Sequence, residues 1–235
     1  MWTKQVPFSA LLRDLRWKVE FFSGDAETRP DTAYQLVRLA EIVRESRETI
    51  DPQSESNRQF NYLSLENVAS HTGDLVGFSP RFGREIKSRT KVFTEGNILY
   101  GRLRPNLNKV FVADEVLREG ICSGEFYVLI PDRRKIVPVV LRSILASPFV
   151  REHIAKFQSG AALPRVPIGD LMNVLLPLPP MEDQLRIARF IVTRDRTRIA
   201  LQRELENLPR STETALVQCI QKGNVAGLKV EEVLA

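Results

Sequence analysis

Between Leu36 and Pro131 the chain consists of short apolar runs separated by turn residues, and after Pro180 one long amphipathic run takes over. Leu36-Val37-Arg38-Leu39 predicts an extended segment leading into a short helix around 40–45, which Asp51-Pro52 ends. The polar stretch from Gln53 to Gln59 reads as a loop. Phe60 to Leu63, Gly96 to Tyr100, Lys109 to Ala113 and Glu125 to Ile130 each predict a short strand, and Pro131-Asp132 stops the last. Val137 to Leu145 and Phe149 to Phe157 predict two helices, split at Ser147-Pro148, where serine can cap and proline fits the first turn. Short strands mixed with short helices argue for an α+β domain.

Met181 to Leu208 contains neither Gly nor Pro and predicts a long helix. Alternate steps of four and three from Ile187 reach Ile191, Arg194, Arg198, Leu201, Leu205 and Leu208, a coiled-coil-like seam with two arginines in it. Ile187, Ile191, Leu201, Leu205 and Leu208 are its apolar members, suited to a partner helix. A helix packed only on its own domain would give the same pattern, so both readings stay open. Pro209 is expected to break or kink the run, with a restart at Arg210-Ser211-Thr212 and a stop at Gly223. The expected organisation is an extension and linker over 1–35, one α+β domain over 36–180, the long helix over 181–222 and a tail over 223–235.

Composition removes several alternatives. The chain has 235 residues, 43% hydrophobic and 27% charged, as in an ordinary globular protein with a real core. No apolar run approaches the roughly 20 residues that span a bilayer, and Arg13 and Asp14 cut off the Phe8–Leu12 patch, so a cytoplasmic, membrane-free protein is expected. Cys122 and Cys219 lie far apart, and His71 and His153 are the only histidines, which leaves disulfide, zinc and histidine-triad chemistry poorly supplied. No metal site and no cofactor is expected.

The formal charge is +5, and its distribution says more than its total. From Arg81 to Val110 stand Arg81, Arg84, Lys87, Arg89, Lys91, Arg102, Arg104 and Lys109, against only Glu85 and Glu95. A net positive excess confined to one short stretch is what a phosphate-neutralising surface requires, although solvated basic faces are also common.

The richest segment is Gly96-Asn97-Ile98-Leu99-Tyr100-Gly101-Arg102-Leu103-Arg104-Pro105-Asn106-Leu107-Asn108-Lys109-Val110, a strand running into a turn that carries donors for phosphate oxygens and base edges. Further along come Gly120-Ile121-Cys122-Ser123-Gly124-Glu125-Phe126, Ser159-Gly160-Ala161 and Pro177-Leu178-Pro179-Pro180-Met181-Glu182-Asp183-Gln184. In this order the four segments resemble the target-recognition domain of type I restriction specificity subunits. The opening from Arg38 to Pro52, with Tyr62 to Val68 and Gly73, is similar to the start of such a domain, so the resemblance covers roughly 36–222.

The resemblance implies an α+β domain that reads double-stranded DNA and a long helix that spaces domains and docks DNA adenine methyltransferase subunits, with a restriction subunit joining the full complex. Members usually carry two domains and two helices. This sequence shows one of each, as a half-sized subunit or a truncated longer one would. A half-sized subunit is expected to form a homodimer through its helix and read a two-part palindromic target. Residues shared across a family that reads different sequences cannot carry the code, so Arg102, Arg104, Asn106 and Lys109 are assigned to phosphate contacts or turn structure. Base reading falls to the glycine-rich loop from Thr72 to Arg89, with Arg81, Arg84 and Lys87. Ser159 and Arg165 complete the expected DNA-binding set. Ser159-Gly160-Ala161 offers backbone N–H groups to a phosphate or simply ends a helix.

Catalysis finds little support in the residues. The methyltransferase signature, an Asn or Asp before Pro-Pro and an aromatic, is missing, since Leu178 precedes and Met181 follows Pro179-Pro180. No glycine-rich cofactor loop is present either, so S-adenosylmethionine is expected on a partner chain. Asp74 with Glu85 and Lys87 has the residue types of a metal-dependent nuclease, but in a glycine-rich loop. A stand-alone nuclease and a scaffold that binds modification subunits without reading DNA are the alternatives to a non-catalytic recognition subunit.

Overall fold

The structure, a computed structural model, describes residues 32–157 and 163–222, with the helical backbone alone for 208–216 and 218–222. The chain divides into a unit ending at Arg186 and a second beginning at Ile187.

The first unit is built on two four-stranded sheets. In one, β2 (Val43–Ser46), β11 (Phe126–Pro131), β8 (Ile98–Gly101) and β9 (Val110–Val112) pair antiparallel in that order. The other is mixed and runs β3 (Thr49–Ile50), β7 (Thr90–Phe93), β10 (Gly120–Cys122), β5 (Tyr62–Leu63), with β10 parallel to β5. Two smaller pairs complete the strands. β1 (Gln35–Arg38) joins β12 (Leu175–Leu178), and β4 (Gln59–Phe60) joins β6 (Arg81–Phe82). The helices are α1 (Pro138–Leu145), α2 (Pro148–Ala155), α3 (Ile168–Met172) and α4 (Met181–Lys222).

The main core lies between the sheets. Leu99, Phe111, Phe126 and Val128 from the first meet Leu63, Phe93 and Cys122 from the second, all nearly or fully buried. Ile98-Leu99-Tyr100-Gly101 is buried at every position, and α1 packs on the neighbouring strand β9. Such continuous apolar runs are the mark of a strand with no wet face. Burial holds Cys122 as a neutral thiol, its pKa pushed up to about 12 by desolvation, so it packs as a small apolar residue.

A second, smaller core forms on the other side of the mixed sheet. Phe60, Ile86 and Ile121 are buried there, with Ile50, Tyr62 and Val92 packed around them. It is what fastens the β4–β6 pair to the domain.

Several local expectations are corrected. The segment 40–45 is no helix: a single 3-10 turn over Leu39–Glu41 gives way to β2, whose Val43 is buried while Arg44 is exposed. Alternating burial overrides the helical tendency of Ala40 and Glu41. Phe60 to Leu63 is not one strand, since β4 and β5 lie in different sheets with exposed Asn61 between them. The helical backbone of α4 passes through Pro209 without a break. One proline costs a helix a single N–H bond and some bending, which the rest of a long helix can carry.

The Pro177–Gln184 segment has a structural task. Gln184 is 1% exposed. Its Oε1 accepts from Val137 N at 2.8 Å, and its Nε2 donates to Lys135 O at 2.8 Å and Pro179 O at 2.9 Å. One side chain thereby satisfies the backbone where α1 starts and where the proline-rich segment turns into α4. Truncating Phe126, at the centre of the main core, to alanine is expected to lower the unfolding free energy by about 3–5 kcal/mol. The check is a shifted urea midpoint at unchanged slope.

Candidate nucleic-acid interface

The basic run of 81–110 divides into cations that the domain uses internally and cations left at the surface. Lys91 donates to Phe126 O at 2.8 Å, lies 3.6 Å from Glu45 and sits over the Tyr127 ring. Lys109 donates to Leu65 O at 2.7 Å. Arg102 donates to Glu125 at 3.1 Å and stacks over Tyr127. Each is partly buried, so its methylene stem packs while its charged end finds an acceptor.

Glu125 is the centre of a latch. Besides Arg102 it takes Arg165, whose Nη2 reaches Oε1 at 2.8 Å and whose Nε lies 3.1 Å from Oε2. Tyr127 OH donates to Val166 O at 3.0 Å, and Arg102 O accepts from Val166 N at 3.1 Å. Together these bonds lace 165–166 onto the ends of β8 and β11. The Arg165 hydrogen bonds, and then those of Arg102, hold the Glu125 carboxyl below its ordinary range.

Arg104 and Asn106 are a different case. The motif closes into a 3-10 turn over Pro105–Leu107, flanked by Arg104 at φ 47° and Asn108 at φ 50°, both left-handed. Asn108 tolerates that conformation and anchors the turn by donating to Ala146 O at 2.6 Å. Arg104 is strained there by about 1–2 kcal/mol, and its backbone N–H donates to Pro164 O at 2.7 Å. Its side chain and that of Asn106 are exposed. The motif is thus architectural at Arg102, Asn108 and Lys109, and open to a ligand at Arg104 and Asn106.

The Thr72–Arg89 loop is more ordered than its glycines imply. Arg81-Phe82 pairs with Gln59-Phe60 as an antiparallel ribbon, Phe60 opposite Arg81 and Gln59 opposite Phe82. A 3-10 turn over Gly83–Glu85 follows and packs on the 3-10 turn over Pro52–Glu55. Gly83 makes the crossing possible: any Cβ there would collide with the carbonyls of Pro52 and Glu55. The Arg81 guanidinium stands 5.5 Å above the Tyr62 ring, and that of Arg84 stands 4.3 Å above Phe82. Arg84 and Lys87 are exposed, and Arg81 is half-buried. Glu85 closes its own turn by accepting from Phe82 N at 2.9 Å, which gives this carboxylate a local structural role. Among the described residues no group of His, Cys, Asp and Glu is arranged to hold a metal ion, and no helix is long and apolar enough to cross a membrane.

On α4, Ile191 is buried and Ile187 half-buried, whereas Leu201 and Leu205 are 55% and 68% exposed. Phe190, which the seam omitted, is 67% exposed and shares a shallow groove with Thr197, Leu201 and Leu205. The side chain of Leu208 and all of Ser159 lie outside the described residues. The helix also carries charge outside the basic run of 81–110. Arg189, Arg196 and Arg203 recur every seven residues, all exposed and with no ion pair among the described residues.

This architecture is similar to that of solved type I restriction specificity subunits. It shares 26% identity and a TM-score of 0.61 with the HsdS subunit from Thermoanaerobacter tengcongensis, covering 88% of this chain and 53% of that one. A chain from a structure on complex assembly and conformational transition of the type I R-M system aligns with a TM-score of 0.62 at 24% identity, over 87% of this chain and 53% of that one. In sequence it is 29% identical over 131 residues to the Type I restriction enzyme EcoDI specificity subunit of Escherichia coli, covering 55% of this chain and 28% of that protein. The HindI specificity subunit of Haemophilus influenzae is 28% identical over 150 residues, 59% of this chain and 32% of that protein. The chain therefore spans about a third of these curated relatives, and no family model matches it.

The latch makes a prediction. A carboxylate whose pKa is lowered by folding stabilises the folded state above its ordinary value of 4.5, and that contribution is lost as the pH falls from there through the folded value. Glu125→Gln is expected to cost about 1 kcal/mol at neutral pH, given the partial solvent screening of the pair. The variant's stability should also fall less steeply than wild type below pH 4.5 in a urea series.

Proposed function

We propose that this chain is the DNA-reading component of a type I restriction-modification system, directing methyltransferase and restriction subunits to a two-part target without catalysing a reaction itself. The observation that carries this reading is the joint match in sequence and fold to specificity subunits. In it the exposed cations Arg84, Lys87 and Arg104, with Asn106, face the duplex, next to the half-buried Arg81 over the Tyr62 ring. Arg102, Lys109 and Arg165 contribute by shaping the surface that presents them. The setting is the cytoplasm, where the DNA and the partner subunits are. A stand-alone nuclease draws no support from Glu85, which is committed to its turn.

A two-part target needs two recognition units. The exposed face of Phe190, Leu201 and Leu205 fits a second α4 of the same sequence, packed through those residues so that their apolar surface leaves water. Two-fold pairing would make the two half-sites inverted copies of one another.

Co-expressed with the adenine methyltransferase of its own host, the chain is expected to co-purify with it and to confer methylation at one bipartite sequence. Binding to that duplex should weaken steeply as salt rises from 50 to 200 mM, by the roughly thousandfold or more that several phosphate contacts imply. A complex that methylates without sequence preference would overturn the proposal. Leu201→Asp combined with Leu205→Asp is expected to halve the sedimenting mass of the purified chain at micromolar concentration; an unchanged mass would remove the pairing through α4.

A further inference from the structure

The β4–β6 ribbon has two faces of different character. Residues directly opposite on an antiparallel pair point to the same side, so Phe60 and Arg81 share one face and Gln59 and Phe82 the other. Phe60 is 6% exposed in the small core with Ile86 and Ile121, which makes its face the inner one. The outer face belongs to Gln59 and Phe82, with Arg84 laid across the Phe82 ring at 4.3 Å. Asn57 completes it, its Oδ1 accepting from Arg84 Nη1 at 3.1 Å. Gln59 and Asn57 are exposed, and neither stood among the residues expected from sequence to meet DNA.

We propose that this outer face enters the major groove and reads base edges, Arg84 on a guanine and Gln59 on an adenine of the half-site. The assignment rests on the DNA-reading function proposed above and identifies the element that performs it. The major groove, about 12 Å wide, admits a two-stranded ribbon. A guanidinium matches the O6 and N7 acceptors of guanine, and a carboxamide matches the N7 acceptor and N6 donor of adenine. Phe82 and Asn57 restrict the Arg84 side chain before any contact is made, which reduces the entropy lost when it binds. Asn57 is a positioning residue: its free amide N–H donors remain available, while its oxygen sets the plane of the guanidinium. The ribbon itself is held rigidly from behind by Phe60, and its turns are locked at Gly83.

The test uses the chain in complex with its methyltransferase partner and selection from a randomised duplex library, with bound sequences read by sequencing. Wild type is expected to recover one bipartite motif. Arg84→Ala should lose the preference for one guanine by about 10- to 100-fold and Gln59→Ala the preference for one adenine, with the other positions intact. Arg84→Lys keeps the charge and the stem over Phe82 but loses the two-pronged donor, so it should keep overall affinity and still lose the guanine. Recovery of the wild-type motif by Arg84→Ala and Gln59→Ala would overturn the ribbon as reader while leaving the DNA-reading function in place. A wild-type complex that recovers no motif would overturn both. Asn57→Ala should weaken the guanine preference less than Arg84→Ala does; a loss equal to or greater than that of Arg84→Ala would overturn its positioning role.

Discussion

The arrangement depends on one constraint, that the mixed sheet is apolar on both of its faces. Along β7, Phe93 enters the main core while Val92 packs on the smaller one, and along β10 Cys122 and Ile121 divide in the same way. Successive residues of a strand point to opposite sides, so a single strand can serve two cores at once. It also makes the register strict, because a slip by one residue would exchange the two apolar sets and break both cores. Gly120 helps to hold that register. It has no side chain where Asn61 crosses, and the Asn61 carbonyl accepts from Ile121 N at 2.9 Å.

What could be read in advance follows from this. Strands β8, β9 and β11 were legible because they serve the main core and read as compact apolar runs, and α1 and α2 because Ser147-Pro148 punctuates them. Strands β3, β4 and β6 are two residues long and owe their existence to pairing partners some 20 to 40 positions away, which no local pattern encodes. The helix expected over 40–45 failed for the same reason: β2 exists because β11 pairs with it along Val128–Pro131. Tertiary context outweighs propensity wherever elements are this short. Of the cations that the charge along 81–89 brings forward, Arg84 and Lys87 are left exposed by the fold and Arg81 is half-buried. Asn57 and Gln59 lay in a polar stretch with nothing to separate them from any solvated loop.

The same physics explains why part of the basic run is taken up by the fold. Charge density along the sequence counts Lys91, Arg102 and Lys109 with the rest, yet their reach brings them to Phe126 O, Glu125 and Leu65 O inside the domain. An arginine or lysine beside a buried strand meets unsatisfied carbonyls or a carboxylate and is taken up by them. On a two-residue ribbon standing over a small core there are few such acceptors, and the arginines stack on aromatic rings, which leaves guanidinium N–H groups for a ligand.

Placing the proposed reading surface on a separate small core has a consequence for how such a domain could change what it reads. Substitutions at Asn57, Gln59 or Arg84 alter side chains that touch the ribbon and its turns but none of the residues between the two sheets. Their effect on folding is then limited to exposed positions, where changes generally stay within a few tenths of a kcal/mol, whereas their effect on a base contact is several times larger. Phe60, Ile86 and Gly83 lack that freedom, since the ribbon stands on the first two and its turns cross at the third. Fixed supports beneath variable contacts allow one domain to be adapted to different sequences without refolding, and the double-faced sheet is what makes the separation physically available.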